Sequence, residues 1–226
     1  IDTNQNTNQM AIALANFLEE EMGKDADKPS VMVEVFAPKK RKKIWRELGI
    51  YPSGVVHEEQ NCIASCLTNV DGDYASLAKK ALRLGLATIY TAQIGMEMVQ
   101  DILFGTPTPH EVEVDLGILD PDYVNIAFNG HQPWVGVATL QKARLPEVQE
   151  RAKRVGAKGL RIVGSIETGQ ELLQRFNVDD VFVGLMGNWL AIEPFLATGA
   201  VDVLAMEENC SPPAIDQYAE KYQVTL

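Results

Sequence analysis

The chain has 226 residues, 46% of them hydrophobic and 23% charged, the balance of one large or two small globular domains with a real core. Its formal net charge of −11 argues against a nucleic-acid backbone or an anionic membrane surface as the main partner. No apolar run approaches the ~18–20 residues of a spanning helix, residues 1–5 carry neither part of a secretion signal, and three cysteines (Cys62, Cys66 and Cys210) are too few for a disulfide framework and suit a reducing cytoplasm.

The chain begins with Ile1 and opens inside a helical pattern, as a processed product or a piece of a longer protein would. Met10, Ile12, Ala13, Ala15, Phe17 and Leu18 predict a first helix that closes over residues 19–22. Residues 23–29 form a charged, turn-rich break, and 31–36 read as a strand on β-branched content alone. A basic helix follows over 39–48, with Ile44, Trp45 and Leu48 facing inward, the Lys39-Lys40-Arg41-Lys42-Lys43 run exposed, and Gly49 as a left-handed cap. Cys62-x3-Cys66 puts two thiols on one helix face, where they read as core residues, because a cluster needs about four ligands. His57 and His110 fall in polar connections and read as solvated. Asp71-Gly72-Asp73 is a turn and cap signal for the longest periodic segment, 74–104, in which Gly85 and Gly95 mark close packing or a break. Gly105-Thr106-Pro107-Thr108-Pro109 ends helix.

The second half changes character. Apolar strands over 124–128, 160–163, 181–185 and 201–206 alternate with helices over 134–155, 168–176, 187–198 and 213–222. That alternation predicts an α/β fold with a doubly wound parallel sheet, preceded by a mainly helical segment. In such sheets ligands sit beyond the carboxyl ends of the strands. There the sequence reads Asn129-Gly130-His131-Gln132-Pro133, Gly164-Ser165-Ile166-Glu167-Thr168-Gly169, Gly184-Leu185-Met186-Gly187-Asn188 and Glu207-Glu208-Asn209-Cys210-Ser211-Pro212. An imidazole, a carboxylate and a thiol are thus predicted on one edge. Three readings stay open on pattern alone. His131, Glu167 and Cys210 hold a metal centre, with sulfur for soft iron or nickel and oxygen as a hard donor. Cys210 and His131 form a nucleophilic pair. Or the three are structural: a loop histidine, an N-cap carboxylate and a small buried thiol. Gly164-x4-Gly169 lacks the Lys-Ser/Thr of a phosphate loop, and no Gly-x-Gly-x-x-Gly occurs, so a nucleotide site is not expected.

Several strings, in order, resemble one family. They are Lys43-Ile44-Trp45-Arg46-Glu47-Leu48-Gly49-Ile50-x-Pro52, Val70-Asp71-Gly72-Asp73, Asp101-Ile102-Leu103-Phe104-Gly105-Thr106-Pro107, Leu116-Gly117, and Val124-Asn125-Ile126 leading to Gly130-His131-x-Pro133. Gly156-Ala157-Lys158-Gly159 then leads to Thr168-Gly169-Gln170-Glu171, and Thr198-Gly199-Ala200-Val201-Asp202 to Cys210-x-x-Pro213. Together they resemble the catalytic subunit of the anaerobic nickel–iron carbon monoxide dehydrogenases, over most of the chain from about Val31 onward.

The resemblance implies a helical segment over 1–105, the end of a helical domain, and a Rossmann-like domain carrying cluster ligands over 106–226. It makes 31–36 helical rather than extended. It implies that His131, the histidine of Gly-His-x-Pro, and Cys210 ligate iron in the active-site cluster. At a third ligand position the family has a cysteine, and this chain has Glu167. A carboxylate is harder than a thiolate and favours an iron with oxygen ligands. The related hybrid-cluster (prismane) proteins combine His, Glu and Cys around an iron–sulfur–oxygen cluster. The implied cofactor is therefore an iron–sulfur cluster, with Glu167 arguing against nickel. Asn129, Gln132 and Asn209 stand beside these residues as candidates to orient them. Residues 61–68 carry Cys62 and Cys66 where many members carry proton-relay histidines.

The implied activity is oxidation of CO with water to CO2, two protons and two electrons. The implied partners are the rest of a parent chain, a redox partner such as ferredoxin, and a second copy in a homodimer, in an anaerobic cytoplasm. With three candidate ligands, the chain alone is expected to be catalytically inert. Two alternatives stand: a hybrid-cluster-like reductase of hydroxylamine or another small oxidant, and a metal-free α/β scaffold.

Overall fold

The structure, a computed structural model, describes residues 6–67, 71–131, 133–206 and 210–226. It divides into two compact units, Ile1–Gly105 and Thr106–Leu226.

The first unit is helical. Helix α1 (Thr7–Met22) starts on its own signal: Asn6 Oδ1 accepts from the Gln9 backbone N–H (3.0 Å), and Gln9 Oε1 accepts from that of Asn6 (3.1 Å). Helix α2 (Val31–Phe36) overturns the strand reading for its β-branched residues. Ser30 caps it by accepting from the Val33 N–H, and the buried Glu21 carboxylate accepts from the Val31 N–H at 2.8 Å. Met32 and Val33 are then buried, and packing overrides local propensity.

In α3 (Lys39–Glu47) only Trp45 is buried, edge-on to Tyr90 with ring centroids 5.8 Å apart. Ile44 and Leu48 are exposed, against expectation, because so short a helix buries one narrow stripe and Ile44 lies ~100° around it from Trp45. The basic run is not uniformly solvated either, since Lys42 donates to the Glu34 carbonyl (2.6 Å) and carboxylate (3.1 Å). Gly49 takes the left-handed conformation (φ +69°) that closes α3.

Helix α4 (Val55–Leu67) precedes α5 (Tyr74–Ala87), a π-helical segment at Thr88–Gln93, and α6 (Ile94–Phe104), which run on without a break. Gly95 is a close-packing point: a Cβ there would sit 2.5 Å from the Leu18 side chain. Gly85 has open space beside it and plays no such part. Leu14, Leu18 and Met32 form a core against Ile94, Met98 and Ile102, and Val33, Ala37, Trp45 and Ile50 form a second against Leu86 and Tyr90.

The second unit is a four-stranded, all-parallel sheet in the order β3-β2-β1-β4. Its strands are β1 (Val124–Asn129), β2 (Leu160–Gly164), β3 (Phe182–Leu185) and β4 (Val203–Met206). Ile126 stands opposite Ile162 on one side and Val203 on the other. The helix expected over 134–155 is two, α7 (Pro133–Ala143) and α8 (Pro146–Arg154). Leu145 is extended (φ −70°, ψ 134°) because the ring of Pro146 excludes the helical conformation from the residue before it. Helix α9 (Ile166–Arg175) follows β2, α10 (Ile192–Ala197) follows β3 after a 3-10 turn at Trp189–Ala191, and α11 (Ile215–Tyr222) follows β4. Ala127, Val163 and Leu204 of the sheet pack with Ile192, Phe195, Leu196 and Ile215 in the larger core. No helix among the described residues is long and apolar enough to cross a membrane.

Candidate metal centre

Strand order decides what the strand ends build. From β1 the chain moves outward to β2 and β3, then returns to place β4 on the opposite side of β1. The crevice at such a reversal is where parallel sheets bind ligands. His131 lies just past β1, Cys210 past β4, and Glu167 in the first turn of α9 past β2.

The three side chains meet. Cys210 Sγ lies 3.3 Å from His131 Nε2, which lies 3.6 Å from Glu167 Oε2. One donor atom from each falls within 4.8 Å of the others. Among the described residues, two of the three non-glycine residues with positive φ are found here, Ile166 (+50°) and Cys210 (+54°). For a β-branched residue such as Ile166 that conformation is a genuine outlier, held only where the surroundings over-determine it. Those surroundings are explicit. The Ser165 N–H donates to Phe128 O (2.7 Å), the Ile166 N–H to Gly187 O (3.2 Å) and the Thr168 N–H to Gly130 O (2.8 Å).

The glycines of Gly164-x4-Gly169 serve the same turn. A Cβ on Gly164 would lie 2.4 Å from Gly169 Cα, and one on Gly169 would lie 2.6 Å from the Gly164 carbonyl carbon. They let the start of α9 touch the end of β2 backbone to backbone, which fixes where Glu167 emerges.

The structural reading of the three residues is corrected at two points. The N-cap of α9 is Ser165, not Glu167, and Cys210 is exposed rather than a small core residue. His131 is half-exposed. Away from this edge, His57 lies in α4 and is half-buried rather than in a solvated connection, while His110 is exposed with Nε2 2.8 Å from Thr108 Oγ1. On the same helix Cys66 is exposed, so the pair is not a core pair, and burial pushes the Cys62 thiol up, helped by the charges of Cys66 and Glu58. Gln132 and Asn209 lie outside the described residues, as does Val70 of the Val-Asp-Gly-Asp string. Ser165 and Ser211, which carried no signal beyond adjacency to Glu167 and Cys210, prove to be hydrogen-bonded to Asn129.

The donor set fits a transition metal. Part of the Glu167 side chain is open to solvent, yet its Oε2 is shielded and accepts no hydrogen bond among the described residues. A shielded carboxylate oxygen beside an imidazole and a thiol is a donor set that suits a cation. Sulfur, nitrogen and oxygen together suit iron in mixed ligation better than a hard ion such as magnesium.

Soft and hard donors at the topological switch point of a parallel α/β unit make a candidate metal site, and comparison with known proteins narrows it. The model of the Prismane/CO dehydrogenase family matches residues 1–226. Carbon monoxide dehydrogenase 2 of Methanosarcina acetivorans is 53% identical over 226 residues, all of this chain and 36% of the relative. The carbon monoxide dehydrogenase of Archaeoglobus fulgidus is 50% identical over 222 residues, 98% of this chain and 35% of the relative. Among solved structures, an as-isolated, nickel-free carbon monoxide dehydrogenase from Thermococcus sp. AM4 superposes with a TM-score of 0.83 at 36% identity, over 98% of this chain and 34% of that one. The chain belongs to the Prismane/CO dehydrogenase family. It spans about a third of the length of the curated relatives it matches.

Proposed function

We propose that this chain is the central portion of a carbon monoxide dehydrogenase-type oxidoreductase, in which CO and water give CO2, two protons and two electrons. The observation that carries the reading is the approach of His131, Glu167 and Cys210 donor atoms to within 4.8 Å of one another at the β1/β4 switch point. In this reading His131 Nε2, Cys210 Sγ and a Glu167 carboxylate oxygen hold part of an iron–sulfur-based cluster, and domain 106–226 is the ligand-bearing domain that follows a helical segment, 1–105, in the chain. When bound, the cluster supplies electron transfer and the activation of CO and water. The protein fixes the donors on strand ends, keeps Glu167 Oε2 away from competing hydrogen bonds, and favours that carboxylate in the first turn of α9 by the helix dipole. Three donors cannot enclose a multi-iron cluster, so the remaining ligands come from the rest of the parent chain and the 226 residues alone are inert. A homodimer, a ferredoxin-type electron acceptor and an anaerobic cytoplasm belong to the same reading.

One feature favours a second reading. Glu167 offers oxygen where a thiolate would favour nickel. A nickel-free iron–sulfur–oxygen cluster reducing hydroxylamine or another small oxidant follows from that donor. Anaerobic quantification of nickel, iron and acid-labile sulfide in the full parent protein, with CO-dependent dye reduction, separates the readings. Nickel near one per chain with CO turnover supports the first. Iron and sulfide without nickel, and hydroxylamine reduction instead, support the second. Absence of all three elements from anaerobically matured protein overturns both and leaves a metal-free scaffold.

A further inference from the structure

Asn129 is the last residue of β1, and its side chain is almost wholly buried. Its Oδ1 accepts from the Ser165 hydroxyl at 3.0 Å. Its Nδ2 donates to the Cys210 carbonyl at 3.2 Å and to Ser211 Oγ at 2.8 Å. One amide thus joins the turn that presents Glu167 to the loop that presents Cys210, from the strand that leads to His131. Those loops leave strands that lie on opposite sides of β1 and do not pair with each other.

We propose that Asn129 is a positioning residue, fixing the Cys210 loop and the Ser165–Glu167 turn against the exit of β1 and so setting the mutual placement of the three donors. This rests on the reading of His131, Glu167 and Cys210 as metal ligands. A primary amide is suited to the task because it accepts on one side and donates twice on the other. An aspartate of the same size keeps the acceptor for Ser165 and loses both donors, so it uncouples the Cys210 carbonyl. The left-handed backbone at Ile166 and Cys210 makes both attachments consequential, since neither residue adopts that conformation without restraint. The amide does not touch the thiol or the carboxylate and acts through the backbone of one and the neighbour of the other.

The test uses the full parent protein. Asn129→Asp is matured anaerobically beside wild type and His131→Ala. Iron and sulfide content, iron affinity and the electron paramagnetic resonance of the reduced cluster are measured. In metal-free protein, the alkylation rate of Cys210 is read against that of Cys66 by peptide mass spectrometry. Asn129→Asp is expected to lower iron affinity about 10- to 100-fold, the range seen when groups orienting ligands are removed. It is also expected to shift the resonance and to change the Cys210:Cys66 rate ratio. An unchanged resonance and an unchanged ratio overturn the proposal. Should Asn129→Asp not fold, Ser165→Ala removes only the hydroxyl that anchors the amide, and the same unchanged pair of readouts counts against it. Failure of the metal-site reading shows separately, as metal content indifferent to His131→Ala, and the alkylation ratio still decides the role of Asn129.

Discussion

His131 Nε2 and Cys210 Sγ lie 3.3 Å apart, although 79 positions separate the residues in the chain. The contact exists because β1 and β4 are neighbours in the sheet, and both residues lie just past the carboxyl ends of those strands. It makes a direct prediction for the parent protein. Cys210→Ser should lower bound iron and sulfide well below the wild-type level, while Cys66→Ser should leave both unchanged, because Cys66 belongs to no group of three donors among the described residues. Equal iron contents in the two variants would remove Cys210 from the centre.

Glu167 should decide which metal the site prefers. Replacing its carboxylate with a thiolate, Glu167→Cys, turns a mixed donor set into a softer one, and soft donors shift the balance toward nickel and iron–sulfur ligation. The nickel-to-iron ratio of the anaerobically matured variant should rise above that of wild type. Glu167→Gln, which keeps the shape and removes the charge, should lower iron content without raising nickel. A nickel-to-iron ratio identical in all three proteins would show that this residue does not govern the choice.

Gly169→Ala tests the backbone contact behind the site. The added Cβ meets the Gly164 carbonyl carbon at 2.6 Å and the Leu185 side chain at 2.7 Å, and the former cannot swing aside. Overpacking of this kind costs about 1–3 kcal/mol, and a midpoint shift in urea unfolding would report it. Gly85→Ala is the control: it meets nothing within 4 Å and sits in a helix, so it should stabilise slightly.

Asp71 gives a pH dependence of known sign. Hydrogen bonds from Lys80 (2.9 Å), Ser76 and the Asp73 N–H hold its carboxyl at about 2, below its ordinary 3.8. A carboxylate with a depressed pKa contributes stability that is complete above its ordinary value and fades as the pH falls toward the depressed one. The contribution should therefore be intact above pH 3.8 and lost on approach to about 2. Melting curves of wild type and Asp71→Asn should differ at neutral pH and converge in that acid window. A difference that persists at the acid end would assign the effect to something other than this titration.

Much of the helix and strand pattern was legible locally, and the exceptions have local physics behind them. Val31, Val33 and Val35 carry strand propensity, yet Ser30 and Glu21 satisfy the N-terminal N–H groups of α2 and the core takes Met32 and Val33. The helix over 134–155 reads as continuous by periodicity, and Pro146 divides it through its effect on Leu145. Gly164 and Gly169 stood out as a spacing without a nucleotide to explain it, and their reason is a backbone contact that no spacing rule expresses.

The sequence by itself determined that apolar strands alternate with helices, and that His131, Glu167 and Cys210 stand at strand exits, because a strand's end and the polar turn after it are written in consecutive residues. Only the tertiary structure decided that β4 pairs with β1, that the three donor atoms come within 4.8 Å, and that the buried amide of Asn129 joins two of the loops. Strand order is set by which faces bury together across the whole sheet, a sum over contacts such as Ala127, Val163 and Leu204 with α10 and α11, and no local run of residues contains it.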